Sequence, residues 1–195
     1  MKRSLESLAN AAVAWVRPGI PALQGQLGFC PAPGRWRPFA TGDEAERLEE
    51  DLAALVACGT STLVVLLEFD EMKRTGLAAL RDRAEEAGLE VLWFPIRDNT
   101  APEDFESVAL LVGRILDRLA RGRTVVIHCL GGLGRSGTIA ATCLVGAGRG
   151  PESALEAVRS VRPLAATGPG QEGFVLSFAA AFGSKGAKFA ADVYR

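Results

Sequence analysis

Histidine is almost absent from this chain. Of 195 residues only His128 carries an imidazole. Cysteine is scarce as well: Cys30, Cys58, Cys129 and Cys143 are the full set, and no two form a CxxC pair. Together these shortages exclude a zinc centre of the usual Cys/His spacing. Four cysteines in a chain of this length do not make a disulfide framework either. The expectation is three buried, apolar thiols (Cys30, Cys58 and Cys143) in a reducing compartment. No apolar run approaches the roughly 20 residues that a membrane span needs. The segment Met1–Ala14 starts basic, but Glu6 and Asn10 interrupt the continuous apolar core that a signal peptide requires. A soluble, cytoplasmic protein is expected. An excess of charge is also missing, with 22 Lys and Arg against 23 Asp and Glu. That balance argues against nucleic acid as a partner, because phosphate backbones select basic surfaces. Internal repeats and low-complexity linkers are absent.

What the chain does have is apolar content, 48% of residues, enough for a sizeable core. Three short β-branched runs read as buried strands: Thr62–Leu67, Leu89–Phe94 and Thr124–His128. Gln26–Cys30 is a weaker fourth. Helical spacing alternates with them, over Glu44–Ala57, Leu77–Ala87 and Glu103–Ala120, the last with Pro102 at its first turn. Three more helices follow, over Ser136–Ala147, Pro151–Val161 and Gln171–Phe182; Pro151 and Glu152 mark a start. Alternating strand and helix predicts an α/β fold: a central, mostly parallel sheet flanked by helices. A single domain is expected over residues 1–195, with its core at about 25–182. Residues 183–195 would be a tail or a final short helix.

One segment stands apart. Val125–Thr138 reads VVIHCLGGLGRSGT, running from a buried strand through a glycine-rich loop into a helix. Backbone N–H groups at such a junction point inward and, with the helix dipole, cradle an anion. Gly131, Gly132 and Gly134 allow φ values that a Cβ resists; Leu130 and Leu133 complete the cradle. A free thiol ionises at about 8.5, so an ordinary cysteine is a poor nucleophile at neutral pH. Cys129, ringed by N–H donors and Arg135, is expected to ionise more readily. Arg135 can grip two phosphate oxygens with its planar fork. Ser136 is placed to donate a hydrogen bond to the sulfur as it leaves. His128 shapes the loop by bonding backbone carbonyls. This conjunction points to phosphate-ester chemistry at Cys129.

Ester cleavage also needs a proton for the leaving oxygen. The loop after the second strand, FPIRDNTAP, contains Asp98. Parallel strands place their C-terminal loops on one edge, so Asp98 and Cys129 can converge. Asp98 would donate a proton in the first step and activate water in the second. Asp104 competes, but reads as a dipole partner in a first helical turn.

At these residues the chain resembles the protein tyrosine phosphatase superfamily, and within it the small dual-specificity enzymes. It is most similar to the kinase-associated phosphatases, also called cyclin-dependent kinase inhibitor-type phosphatases. The likeness rests on IHCLGGLGRSG (Ile127–Gly137), FPIRD, LGFCPAPGRW (Leu27–Trp36) and GPGQEGFVLSF (Gly168–Phe178). The resemblance implies Cys129 as nucleophile with a cysteinyl-phosphate intermediate, Arg135 as phosphate ligand, Asp98 as general acid and Ser136 as helper. It implies no metal or other cofactor. Gln171 falls where some members orient the hydrolytic water, and could equally cap the helix it opens. The stretch DEMKRTG (Asp70–Gly76) matches only loosely a loop whose acidic residue borders the site; Glu71 reads better as an exposed helix-start charge.

The expected substrate is a phosphorylated protein or peptide, handled by a monomer. A phosphoinositide or small-molecule phosphatase is the alternative, disfavoured because Leu130–Gly134 holds no lysine or arginine. A persulfide carrier is disfavoured by the Arg135 spacing and Ser136. A non-catalytic phospho-binding module would be expected to lack one of Cys129, Arg135 and Asp98. Oxidation of Cys129 would be regulation laid on catalysis.

Overall fold

A computed structural model describes residues 4–17, 19, 23–37 and 43–182; residues 183–195, read as a tail or helix, lie outside these. Five strands form one sheet: β1 (Ala14–Val16), β2 (Leu27–Cys30), β3 (Thr60–Val65), β4 (Glu90–Trp93) and β5 (Thr124–His128). Their order across the sheet is β1-β2-β5-β3-β4. Only β1 is antiparallel; β2, β5, β3 and β4 run parallel. The fold is the expected mixed α/β class with a mostly parallel sheet. Strand β1 escapes the sequence reading because three residues carry too little periodicity to register. The strand expected over Thr62–Leu67 is shorter at its C-terminal end: β3 stops at Val65, and buried Leu66 and Leu67 lead onward from the sheet edge.

The helices are α1 (Leu5–Ala12), α2 (Glu44–Ala57), α3 (Phe69–Arg74), α4 (Leu80–Glu86), α5 (Phe105–Ala120), α6 (Gly134–Gly146), α7 (Pro151–Val161) and α8 (Gln171–Phe182). Helices α2, α7 and α8 have the expected bounds. The short α1 and α3 were not expected. Helix α5 begins later than anticipated: Asp104 is its N-cap, accepting from the Glu106 and Ser107 amides. Pro102 therefore lies ahead of the cap rather than in the first turn.

Chain direction puts helices on both faces. The crossings β2→α2→β3 and β3→α4→β4 step one way across the sheet, and β4→α5→β5 steps back. Right-handed crossovers then place α2 and α4 on one face and α5 on the other. Packing agrees, with α2 against β3 and α4, and α5 against β5 and α6. Helix α6 is the centre of its layer. Every residue from Arg135 to Val145 is buried, under α5, α7, α8 and strands β2 and β5. A helix buried on every side in this way is stable only when it is enclosed and its polar groups, such as Thr138 and Thr142, are bonded. Phe105 of α5 meets Phe174 of α8 with ring centroids 4.9 Å apart, closing the outer layer.

The consequence for function is positional. Strand β5 is central, and both neighbours are in register with its last residue, Cys30 and Val65 each pairing with His128. Loops leaving β2, β3, β4 and β5 therefore open on one sheet edge.

Candidate active site

Five carbonyls of the β5–α6 loop are each taken by a donor. His128 Nδ1 lies 3.2 Å from Cys129 O, Ala32 N donates to Leu130 O at 3.1 Å, and Arg162 donates to Gly132 O at 3.4 Å. Ala166 N donates to Leu133 O at 3.2 Å, and Thr138 Oγ1 to Gly134 O at 2.9 Å. In a trans peptide the N–H points opposite to its carbonyl, and no described peptide is cis. With the carbonyls engaged around the outside, the amides of Leu130, Gly131, Leu133, Gly134 and Arg135 are turned the other way. Amide donors turned away from their carbonyls in this way can serve an anion.

The glycines divide the work differently from expectation. Only Gly132 has a left-handed backbone, φ +68, and a Cβ there would lie 2.2 Å from Pro31 N. Gly134 has no such φ; its Cβ would strike the Gln171 amide at 2.8 Å. Gly131 faces open space. Conformational freedom is thus needed at one glycine, close packing at another, and neither at the third.

Cys129 is 3% exposed, with Sγ 3.4 Å from Ser136 Oγ. Arg135 is 3% exposed, and Glu71 holds it with both oxygens at 2.7 Å. Ile96 O accepts from Nη1 at 3.0 Å, and Asp98 Oδ1 lies 2.8 Å from Nη2. Burial opposes the charge on Arg135, but the Glu71 bonds and nearby anionic groups hold its pKa above the ordinary value. Glu71 is therefore not an exposed helix-start charge, as the sequence suggested: it is 4% exposed, because α3 carries it from the end of β3 to beneath Arg135.

Asp98 is half exposed, and Asn99, in the left-handed region at φ 56, donates to its other oxygen at 3.2 Å. Asp104, the competing carboxylate, is committed to its cap. Its pKa is lowered chiefly by the Ser107 side-chain bond and the amides of the first turn. His128 is fully buried. Because a carbonyl can only accept, Nδ1 carries the proton, leaving Nε2 without a hydrogen-bond partner. Burial pushes its pKa down to about 4, so the ring is neutral at pH 7. Gln171 is buried at 2% exposure, accepting from Gly168 N at 2.9 Å and donating to Thr100 O at 3.1 Å. It therefore ties the Asp98 loop to the start of α8, beside Gly134.

Sequence reading missed the parts that hold the site from outside: Arg162, the Ala166 amide, the Ile96 carbonyl and Asn99. For Glu71 a signal existed, since it opens a helix just after the strand beside β5. The other cysteines follow expectation at Cys30 and Cys143, whose burial pushes both thiols up. Cys58 departs from it: at the end of α2 it is half-buried, with Sγ donating to Leu55 O at 3.1 Å. All four are free thiols.

The family model described as "Tc-R-P: Polymorphic toxin system, DSP-PTPase phosphatase" matches residues 41–149. No curated protein sequence matches the chain. Among solved structures, Tk-PTP in its active form is 34% identical, covering 78% of this chain and 90% of its own, with a TM-score of 0.62. Kinase associated phosphatase, with its catalytic cysteine replaced by serine, superposes with a TM-score of 0.75 at 24% identity, covering 87% and 94%. PTPMT1 in complex with PI(5)P has a TM-score of 0.62 at 19% identity, covering 88% and 96%. The chain belongs to the dual-specificity protein tyrosine phosphatases, within the Tc-R-P family of DSP-PTPase phosphatases, and is a phosphoric monoester hydrolase.

Proposed function

We propose that the protein hydrolyses phosphate monoesters on phosphorylated proteins or peptides, without a metal, through a cysteinyl-phosphate at Cys129. Substrate phosphate seats on the inward amides of Leu130–Arg135, with the Arg135 fork on two of its oxygens. Cys129 Sγ attacks phosphorus, forming the S–P bond as the ester O–P bond breaks. Asp98 gives its proton to the departing oxygen. In the second step Asp98 takes a proton from water, whose oxygen attacks phosphorus and displaces the sulfur. Ser136 Oγ stabilises the returning thiolate by a hydrogen bond. Gln171 retains one amide N–H beyond its bond to Thr100, and from beside Gly134 it can orient that water.

The observation that supports this reading is the pair of contacts that join its residues, Cys129 Sγ to Ser136 Oγ at 3.4 Å and Arg135 Nη2 to Asp98 Oδ1 at 2.8 Å. Asp98 and substrate phosphate both use Arg135 Nη2, so substrate entry frees the Asp98 carboxyl to turn toward the leaving oxygen. Four free thiols fit a reducing, cytoplasmic setting, and among the described residues no helix is long and apolar enough to cross a membrane.

A phosphoinositide is the competing substrate, since PTPMT1 has been solved with PI(5)P. Here the loop interior Leu130–Gly134 has no cation, and Arg162 is directed at backbone oxygens of Gly132 and Ala12. An array without spare positive charge suits one phosphate rather than several.

Hydrolysis of an aryl phosphate in the presence of a chelator tests the reading. Cys129→Ser should abolish it, and full activity in that variant would remove the mechanism. Asp98→Ala should lower kcat roughly a hundredfold or more while leaving inhibition by inorganic phosphate in place.

A further inference from the structure

Beside Arg135, on the Glu71 side, lies a cavity of about 790 Å³. Two of its walls belong to the active site. Glu71 lines it and also binds Arg135 through both oxygens. Pro95 lines it and immediately precedes Ile96, whose carbonyl accepts from Arg135. Phe69 and Trp93 line it too, and these are large rings left 48% and 41% exposed.

The Trp93 ring is held in place. The Trp93 indole N–H donates to Leu67 O at 2.8 Å, and the Arg81 guanidinium lies 4.1 Å from its ring centre. Lys73 Nζ lies 4.2 Å from the centre of Phe69. Aromatic surface held still in advance loses little entropy when covered, and such residues dominate the affinity of protein interfaces.

The chain between cavity and site is extended. Phe94 N and Ile96 N continue the ladder to Val65 O and Leu66 O. Trp93, Pro95 and Arg97 are exposed in alternation and end at Asp98. At about 3.3 Å per residue, Trp93 and Arg97 are about 13 Å apart, the length of roughly four residues of extended peptide. Pro95 has no N–H to offer, so recognition along this run rests on side chains rather than on an added strand. The charges around the cavity are mixed: Glu68 and Asp70 oppose Lys73 and Arg74, and Glu71 is spent on Arg135. Among the residues that line it, a polyanionic head group finds no positive surplus.

We infer that the Phe69–Trp93 cavity docks the polypeptide flanking the phosphorylated residue, taking an apolar side chain roughly four residues away. The inference rests on the proposed protein-phosphatase reading and adds its specificity determinant. The test compares an aryl phosphate, phosphopeptides of about twelve residues with leucine at each position on either side of the phosphorylated residue, and phosphoinositide vesicles. Wild type should prefer peptides with leucine at the fourth position on one side. Phe69→Ser and, separately, Trp93→Ala should lower kcat/KM for that peptide about tenfold more than for the aryl phosphate, through a higher KM. Equal losses on both substrates, no benefit from any leucine, or a preference for vesicles would each overturn the inference. An enzyme that cleaves aryl phosphate yet ignores the flanking sequence refutes only the docking role. Failure to cleave any monoester would refute the proposed function itself.

Discussion

At Gly132 two constraints coincide: a left-handed φ and the backbone of Pro31 where a Cβ would go. Gly132→Ala should cost roughly 3 kcal/mol or more and disable the anion cradle. Gly131→Ala meets open space and should stay within about 0.5 kcal/mol. Urea unfolding of the two variants makes the comparison, and equal losses would show that loop glycines act together. Leu164 presents the reverse case. It has φ +68 and is 68% exposed, so it bears backbone strain without gaining burial. Leu164→Gly should raise stability by about 1 kcal/mol, read as a higher unfolding midpoint. From the sequence these positions are only two glycines in a glycine-rich loop and a leucine after a proline. Backbone conformation and the neighbour across the gap tell them apart, and neither is a property of residue type.

Among the elements, short α3 contributes out of proportion to its length. Met72 packs into the core, which fixes the helix, and Glu71 one residue earlier reaches Arg135. A buried ion pair gives modest net stability, but removal of one partner leaves an unmatched charge. Glu71→Gln should therefore cost about 3 kcal/mol. Glu71 acts through Arg135, so inorganic phosphate should also inhibit the variant more weakly. Unchanged phosphate inhibition would limit Glu71 to a stabilising role. Helices α2, α7 and α8 were legible to the residue because apolar spacing and caps are local signals. Helix α3 was not, since six residues show less than two turns of pattern.

Over the whole molecule, two buried titratable groups give stability opposite slopes with pH. His128 faces Cys129 O and Arg135, and burial holds its pKa near 4, against an ordinary value of 6.5. An unfolded chain binds that proton first, so stability is lost as pH falls from about 6.5 to about 4. Asp51 faces the Gly34 amide, Arg37 and Glu50, and burial raises its pKa from 3.8 to about 6. Its protonated form suits the fold, so its contribution is lost as pH rises from about 4 to about 6. Each shift corresponds to about 3 kcal/mol, so the two largely cancel in this window. Relative to wild type, His128→Gln should gain stability as pH falls from 6.5 to 4, and Asp51→Asn should gain as pH rises from 4 to 6. Chemical denaturation across that range checks both, and parallel curves for wild type and variant would refute the assignment. The sequence by itself determined the α/β class, the strand–loop–helix junction at Cys129 and Arg135, and the edge from which Asp98 arrives. Each depends on local periodicity, on spacing along the chain, or on the parallel-strand rule. Tertiary structure alone decided that Glu71 is buried under Arg135, that Gly132 must lack a Cβ, and that Arg162 and the Ala166 amide brace the loop. Those partners lie tens of residues apart in sequence: Glu71 and Pro31 arrive because parallel strands deliver their loops to one edge, and Arg162 and Ala166 because α7 packs against α6.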